Sequence, residues 1–197
     1  MLKVGITGGI GSGKSWVCRI FQQLGVPLFE ADLEVKKLYA SDAALKNELL
    51  SAFGSQTFHA DGGINTQFLK EVLVDAEKRN QLNKLVHPRV FERFHQWAQD
   101  QNAPYVIKEA AILFESGADK TVNKTIGVFA PLELRIARVL KRDARTREDI
   151  LALISMQLPD EELRAKVDYQ ILNDNQHAVI TQVRDLHHIL CNESRHF

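Results

Sequence analysis

Cysteine is almost missing from this chain of 197 residues: only Cys18 and Cys191 occur, far apart and without a CxxC pair. That excludes a disulfide framework and a thiolate metal cage, and two isolated thiols suit a reducing, cytoplasmic setting. Net charge is missing too, with 25 basic residues against 25 acidic ones. No global field therefore draws the protein to nucleic acid or to an anionic membrane. No apolar run is long enough to span a bilayer, and the N-terminus runs directly into a strand pattern rather than a signal peptide. The histidines form no HExxH, and His187-His188 are adjacent rather than at helical i, i+4 spacing, so zinc chemistry has no ligand set. Two guanine-nucleotide signatures are also lacking. No Asp has Gly three residues later, and Asn123-Lys124-Thr125-Ile126 lacks the final acid of NKxD.

What is present begins at residue 8. Gly8-Gly9-Ile10-Gly11-Ser12-Gly13-Lys14-Ser15 matches the P-loop pattern G-x-x-x-x-G-K-[ST] without a mismatch. The apolar run from Leu2 to Thr7 reads as the strand feeding it, and Lys14 to Leu24 as the helix leaving it. Glycines let backbone N–H groups approach phosphate oxygens, and the helix adds its partial positive end. Gly9, Ile10, Gly11, Ser12, Gly13, Lys14, Ser15 and Trp16 are therefore the candidate ATP-binding residues. Lys14 reaches the β- and γ-phosphates and the Ser15 hydroxyl ligates Mg²⁺.

Further strands are predicted at Val26–Phe29, Tyr105–Glu109, Thr125–Phe129 and Tyr169–Leu172. A helix is predicted over Pro131–Arg142, a capped helix from Thr146, and a last helix over His177–Leu190. Strands alternating with helices imply an α/β fold, a parallel doubly wound sheet whose ligands bind at the carboxyl ends of the strands. That rule singles out Asp32 after strand two and Glu109 after strand three. Between them, residues 34–101 carry helical periodicity broken at Gly54 to Gly63, too long for a simple crossover and expected to be a substrate-binding insertion. Residues 1–33, 102–131 and 161–197 are the expected P-loop core, and 132–160 the expected lid. Arg135, Arg138 and Arg142, at i, i+3 and i+7, share one helical face; they serve either as phosphate-binding lid residues or as a solvated charged face. Asp32 is either the base that takes a proton from an acceptor hydroxyl or a helix N-cap. His87 is either a substrate contact or a helix-start residue set by Pro88.

These residues resemble the dephospho-CoA kinase family in order along nearly the whole chain. Gly5 to Ser15 resembles that family's G-[IL]-T-G-G-I-G-S-G-K-S opening. Leu24-Gly25 and Glu30-Ala31-Asp32 stand for L-G and D-A-D, and Phe53-Gly54 with Asp61-Gly62 for F-G…D-G. His87-Pro88 matches the family's His-Pro pair, and Ala111-Ile112-Leu113-Phe114-Glu115 matches P-L-L-F-E. The Arg135, Arg138, Arg142 series resembles Q-x-x-R-x-x-x-R. Gln157, Val167-Asp168 and Ile171-Leu172-Asn173 resemble Q…A-D…I-x-N. The departures are Trp16 for Thr, Glu30 for Asp, Thr66 for Arg, Ala111 for Pro and Arg135 for Gln. The resemblance implies a monomeric ATP- and Mg²⁺-dependent kinase acting on the ribose 3′-hydroxyl of dephospho-CoA. It implies Asp32, Lys14 and Arg142 as catalytic residues, and Arg138 and Asn173 on ATP with the Asn173 amide toward adenine. Asp32, His87 and Leu113 then fall on the acceptor, and Ser15 and Glu109 on the metal. A nucleoside or nucleotide kinase of similar build, or a nucleotide-binding module without transfer activity, would share the P-loop; the second would not need Asp32.

Overall fold

Residues 1–197 are described by a computed structural model. Strand β1 (Leu2–Thr7) runs into the glycine loop and then helix α1 (Lys14–Gln23). The turn after α1 explains a shift from expectation at the second strand. The Gly25 and Val26 N–H groups bond back to the Gln22 and Phe21 carbonyls at 3.0 and 3.1 Å, closing the helix with a Schellman pair. Val26 is thereby spent on the turn, so β2 covers Leu28–Glu30 rather than Val26–Phe29. Helix α2 (Ala31–Ser41) follows with no intervening loop. Next come α3 (Ala43–Phe53), α4 (Thr66–Val74) and α5 (Ala76–Gln99). Strand β3 (Tyr105–Glu109) and β4 (Lys124–Phe129) return the chain to the sheet. Then α6 (Leu132–Arg142), α7 (Arg147–Ser155) and α8 (Asp160–Lys166) precede β5 (Tyr169–Leu172) and α9 (Val179–Glu193). Helix α9 starts two residues later than expected, because the Gln176 and His177 N–H groups are held at 3.0 Å by the Asp174 carboxylate in a preceding turn.

The five strands form one sheet in the order β2-β3-β1-β4-β5, with β1 parallel to both β3 and β4 and β4 parallel to β5. Central parallel strands are buried on both faces, which is why they read as continuous apolar runs. On one face Leu2, Val4 and Ile6 pack with Val17 and Phe21 of α1 and Val183, Leu186 and Leu190 of α9. On the other, Gly5 lies under the Leu113 and Val122 side chains. At the amino edge of β4 and β5, Asp168 accepts from the Thr125 N–H and hydroxyl, both at 2.7 Å, and so pins the two strands in register.

The chain divides into two compact units, one formed by residues 1–29 with 98–197 and the other by residues 30–97. In the second, Arg89 of α5 holds Asp42 at 3.2 Å and Glu48 at 2.7 Å. Asp42 also caps α3 by accepting from the Leu45 N–H at 2.9 Å, and that bond holds its carboxyl below the usual carboxylate range. The Asp61-Gly62-Gly63 turn is present, closed by an antiparallel bridge between Phe58 and Ile64. An open groove of about 430 Å³ runs between α3 and α5, lined by Asn47, Glu48, Ser51, Ala52, Gln81 and Leu85. Trp97 stacks near Phe94, ring centres 6.2 Å apart, at the end of this unit.

Candidate functional site

The loop between β1 and α1 has the geometry that phosphate binding requires. Gly13 caps α1 in the left-handed region at φ 94°, where a side chain would be strained and would overlap the Asn173 amide. The loop carbonyls are turned away and bonded. Gly9 O accepts from Ser12 N at 3.1 Å, and Ser12 O accepts from the Asn173 side-chain amide at 2.8 Å. Lys14 folds its ammonium back onto the Gly8 carbonyl at 2.7 Å, across the mouth of the loop. Inside, the buried Ser12 hydroxyl oxygen has no hydrogen-bond partner. An orphaned buried polar atom in a glycine loop at a helix N-terminus fits an anionic ligand such as a nucleotide phosphate.

Ser15 and Trp16 lie exposed on the first turn of α1, with Trp16 51% exposed. Glu109 ends β3, paired in register with Ile6 of β1. The oxygen donors Ser15 and Glu109 suit Mg²⁺, which takes few protein ligands and completes its shell from phosphate and water. No group of three or more His, Cys, Asp or Glu side chains gathers as a self-sufficient metal site.

The three arginines of α6 have separate environments. Arg138 reaches Ser12 O at 3.4 Å, Asn173 O at 3.0 Å, Asn173 Oδ1 at 3.2 Å and Asn175 Oδ1 at 3.0 Å. The Asn173 side-chain nitrogen thus braces the loop while its oxygen accepts from Arg138, and an adenine contact would have to take over one of these bonds. Arg142 is 64% exposed and makes a two-point bond to its neighbour Asp143 at 2.8 and 2.9 Å. Arg135 departs most from a solvated face. It is 4% exposed, donating from Nε to Ile10 O at 2.9 Å and pairing with Asp160 at 2.8 Å. The surface reading of that residue is therefore wrong: its partner sits 25 residues away, beyond the reach of helical spacing.

Asp32 is exposed in the first turn of α2. The N-cap position belongs to Glu30, so the capping alternative for Asp32 does not hold. Its carboxylate is instead one of two acidic groups near the positive end of that helix. Nor does His87 start a helix. Pro88 lies inside the 24-residue α5, and half-buried His87 stacks near Phe91 with ring centres 6.0 Å apart. Leu113 is fully buried against Gly5, so its side chain belongs to the core and any ligand contact falls to its backbone. Gln157 gains a role that no local pattern assigns. Its side-chain oxygen accepts from the Ile10 N–H at 2.8 Å, and its nitrogen donates to Ala111 O at 3.4 Å. Glu115 accepts from the adjacent Leu158 N–H at 2.9 Å.

A model of the dephospho-CoA kinase family matches residues 2–178. The chain belongs to the dephospho-CoA kinase family. A dephospho-CoA kinase from Bacteroides fragilis is 38% identical over 187 residues, covering 94% of this chain and 91% of its own. One from Salinibacter ruber is 39% identical over 178 residues, covering 88% and 89%. The crystal structure of TT1252 from Thermus thermophilus superposes with a TM-score of 0.83 at 30% identity, covering 97% of each chain. Dephospho-CoA kinase from Campylobacter jejuni gives 0.67 at 24% identity over 97% of this chain and 98% of its own, and a Bacteroides thetaiotaomicron shikimate kinase gives 0.53 at 16% over 96% and 98%. These last two show the fold alone.

Proposed function

We propose that this protein transfers the γ-phosphoryl group of ATP to the 3′-hydroxyl of the dephospho-CoA ribose, giving CoA and ADP. The observation that carries this reading is a family match across residues 2–178 in a chain whose P-loop is intact. Phosphoryl transfer passes through a loose transition state, so positioning and charge neutralisation supply most of the catalysis. The amides of Gly11, Gly13, Lys14 and Ser15 and the Lys14 ammonium hold the phosphates. Arg142, itself exposed and paired with its half-buried neighbour Asp143, can turn toward the transferring group at small cost, because an ion pair near the surface is worth little. Asp32 orients the acceptor hydroxyl and accepts its proton. Ser15 and a water held by Glu109 would hold Mg²⁺, which supplies further charge neutralisation. Residues 30–97 take the acceptor, with His87 as a contact.

The test is ADP release measured with dephospho-CoA, AMP and nucleosides as acceptors. Release that depends on dephospho-CoA supports the proposal, and equal turnover on AMP replaces it with a nucleotide kinase. Lys14→Ala should lower turnover by about 10²–10³ while leaving the circular dichroism spectrum unchanged. Near-normal turnover by the folded variant would remove the P-loop from the reaction.

A further inference from the structure

A loop that binds phosphate through its N–H groups must have its peptides held from the opposite side. Ile10 is where this chain does so. The Ile10 carbonyl accepts from Arg135 Nε at 2.9 Å and its N–H donates to Gln157 Oε1 at 2.8 Å. Its side chain packs against the cluster of Ile136, Val139 and Ile150 on α6 and α7. Both peptides flanking this residue are therefore fixed by the segment between β4 and β5. The guanidinium of Arg135 also lies so close to Gly9 that any Cβ there would overlap it, and the Arg135 backbone does the same beneath Gly11. The loop rests directly on α6.

Arg135 is itself held by a charge. It is 4% exposed, and Asp160, the first residue of α8, is its ion-pair partner at 2.8 Å. A guanidinium this deeply buried needs such a partner, and removing the carboxylate leaves it uncompensated. We propose that Arg135 and Asp160 are positioning residues for ATP: the pair fixes the Ile10 peptide, and through it the donors that face the triphosphate. The family pattern carries Gln at the Arg135 position. A glutamine there can still donate to the Ile10 carbonyl but cannot form the ion pair that couples the loop to α8 in this chain. The inference rests on ATP being the phosphoryl donor, as proposed above, and not on the identity of the acceptor.

The experiment is isothermal calorimetry of ATP binding without acceptor, on wild type, Arg135→Gln, Arg135→Lys, Asp160→Asn and the Arg135→Gln/Asp160→Asn double variant. Thermal melts and steady-state kinetics accompany it. Asp160→Asn and Arg135→Gln should each weaken ATP by roughly tenfold, the scale of one charged hydrogen bond. The double variant should be no weaker than Arg135→Gln, since both changes break one interaction. Arg135→Lys should fall between, keeping the charge but not the two-directional fork. In turnover assays KM for ATP should rise while KM for dephospho-CoA and kcat stay within about twofold. Unchanged ATP affinity in folded Asp160→Asn overturns the proposal. So does a rise in both KM values together with a fall in melting temperature, which would make the pair merely structural. Because binding is read without acceptor, wild type that binds ATP yet ignores dephospho-CoA would defeat the acceptor assignment and leave this inference standing.

Discussion

A lysine in the middle of a buried strand is charged in a poor solvent for charge, and Lys108 carries that conflict. It is fully buried on β3, donating to the Thr121 hydroxyl at 3.1 Å, and burial pushes its pKa down to about 8. The unfolded chain holds that proton to about pH 10.4. Between about pH 8 and pH 10 the unfolded state therefore binds more protons than the folded one, and this group's contribution to stability rises with pH. Thermal melts of wild type and Lys108→Met should show the wild type gaining on the variant across that window; a constant difference would mean that the amine stays charged when buried. Asp32 presents the opposite case, an exposed carboxylate whose local structural role is small. It sits within the first turn of α2 rather than at its cap, so Asp32→Asn forfeits only a helix-dipole contribution of about 0.3–1 kcal/mol. If Asp32 is the base, turnover should fall by about 10²–10⁴ with KM for ATP and the melting curve nearly unchanged. A collapsed melt would make it structural, and normal turnover would pass the role to Glu30.

Helix α5 shows how packing overrides a local breaker. Its buried residues Leu82, Val86, Val90 and Phe94 repeat every four positions, straight past Pro88, which faces solvent. The His-Pro pair suggests a helix start because proline favours the first turn. The stripe on either side wins because each large apolar side chain it buries contributes about 1.5–3 kcal/mol. Pro88 still lacks an N–H to donate to the carbonyl of Lys84, and an interior proline costs about 3 kcal/mol relative to alanine. Pro88→Ala should therefore raise the melting temperature, the gain reduced by about 1 kcal/mol because proline also restricts the unfolded chain. An unchanged or lower melting point would mean that the helix is already adapted to the proline. Four of the five strands, by contrast, were legible in the sequence to within a residue, because apolar runs between turn residues have few other uses; β2 was displaced by the turn after α1. Helix α8 was not, since Asp-Glu-Glu followed by Leu and Arg is too short and too polar to show a period.

For the whole molecule, the division into residues 1–29 with 98–197 and residues 30–97 separates the P-loop from the helices expected to take the acceptor. Amide hydrogen exchange should therefore report the two ligands separately. ATP should slow exchange in the P-loop and α1, and dephospho-CoA should slow it within residues 30–97. Dephospho-CoA protecting only the first unit would refute the insertion as its binding site. The candidate site was legible in part for a related reason. Gly8 to Ser15, Asp32, Glu109 and Asn173 stand at strand ends, where topology alone points. The Arg135–Asp160 pair and the Gln157–Ile10 bond join positions 25 and 147 residues apart, and no spacing rule reaches that far. The chain also contains just two tryptophans, and each compact unit holds one of them. Trp16 stands half-exposed one residue beyond Ser15, while Trp97 stacks near Phe94. With Trp97 replaced by phenylalanine, ultraviolet emission comes from a single indole beside the nucleotide loop; with Trp16 replaced instead, it comes from residues 30–97 alone. The protein thus carries a separate optical reporter in each half, readable without attaching a dye.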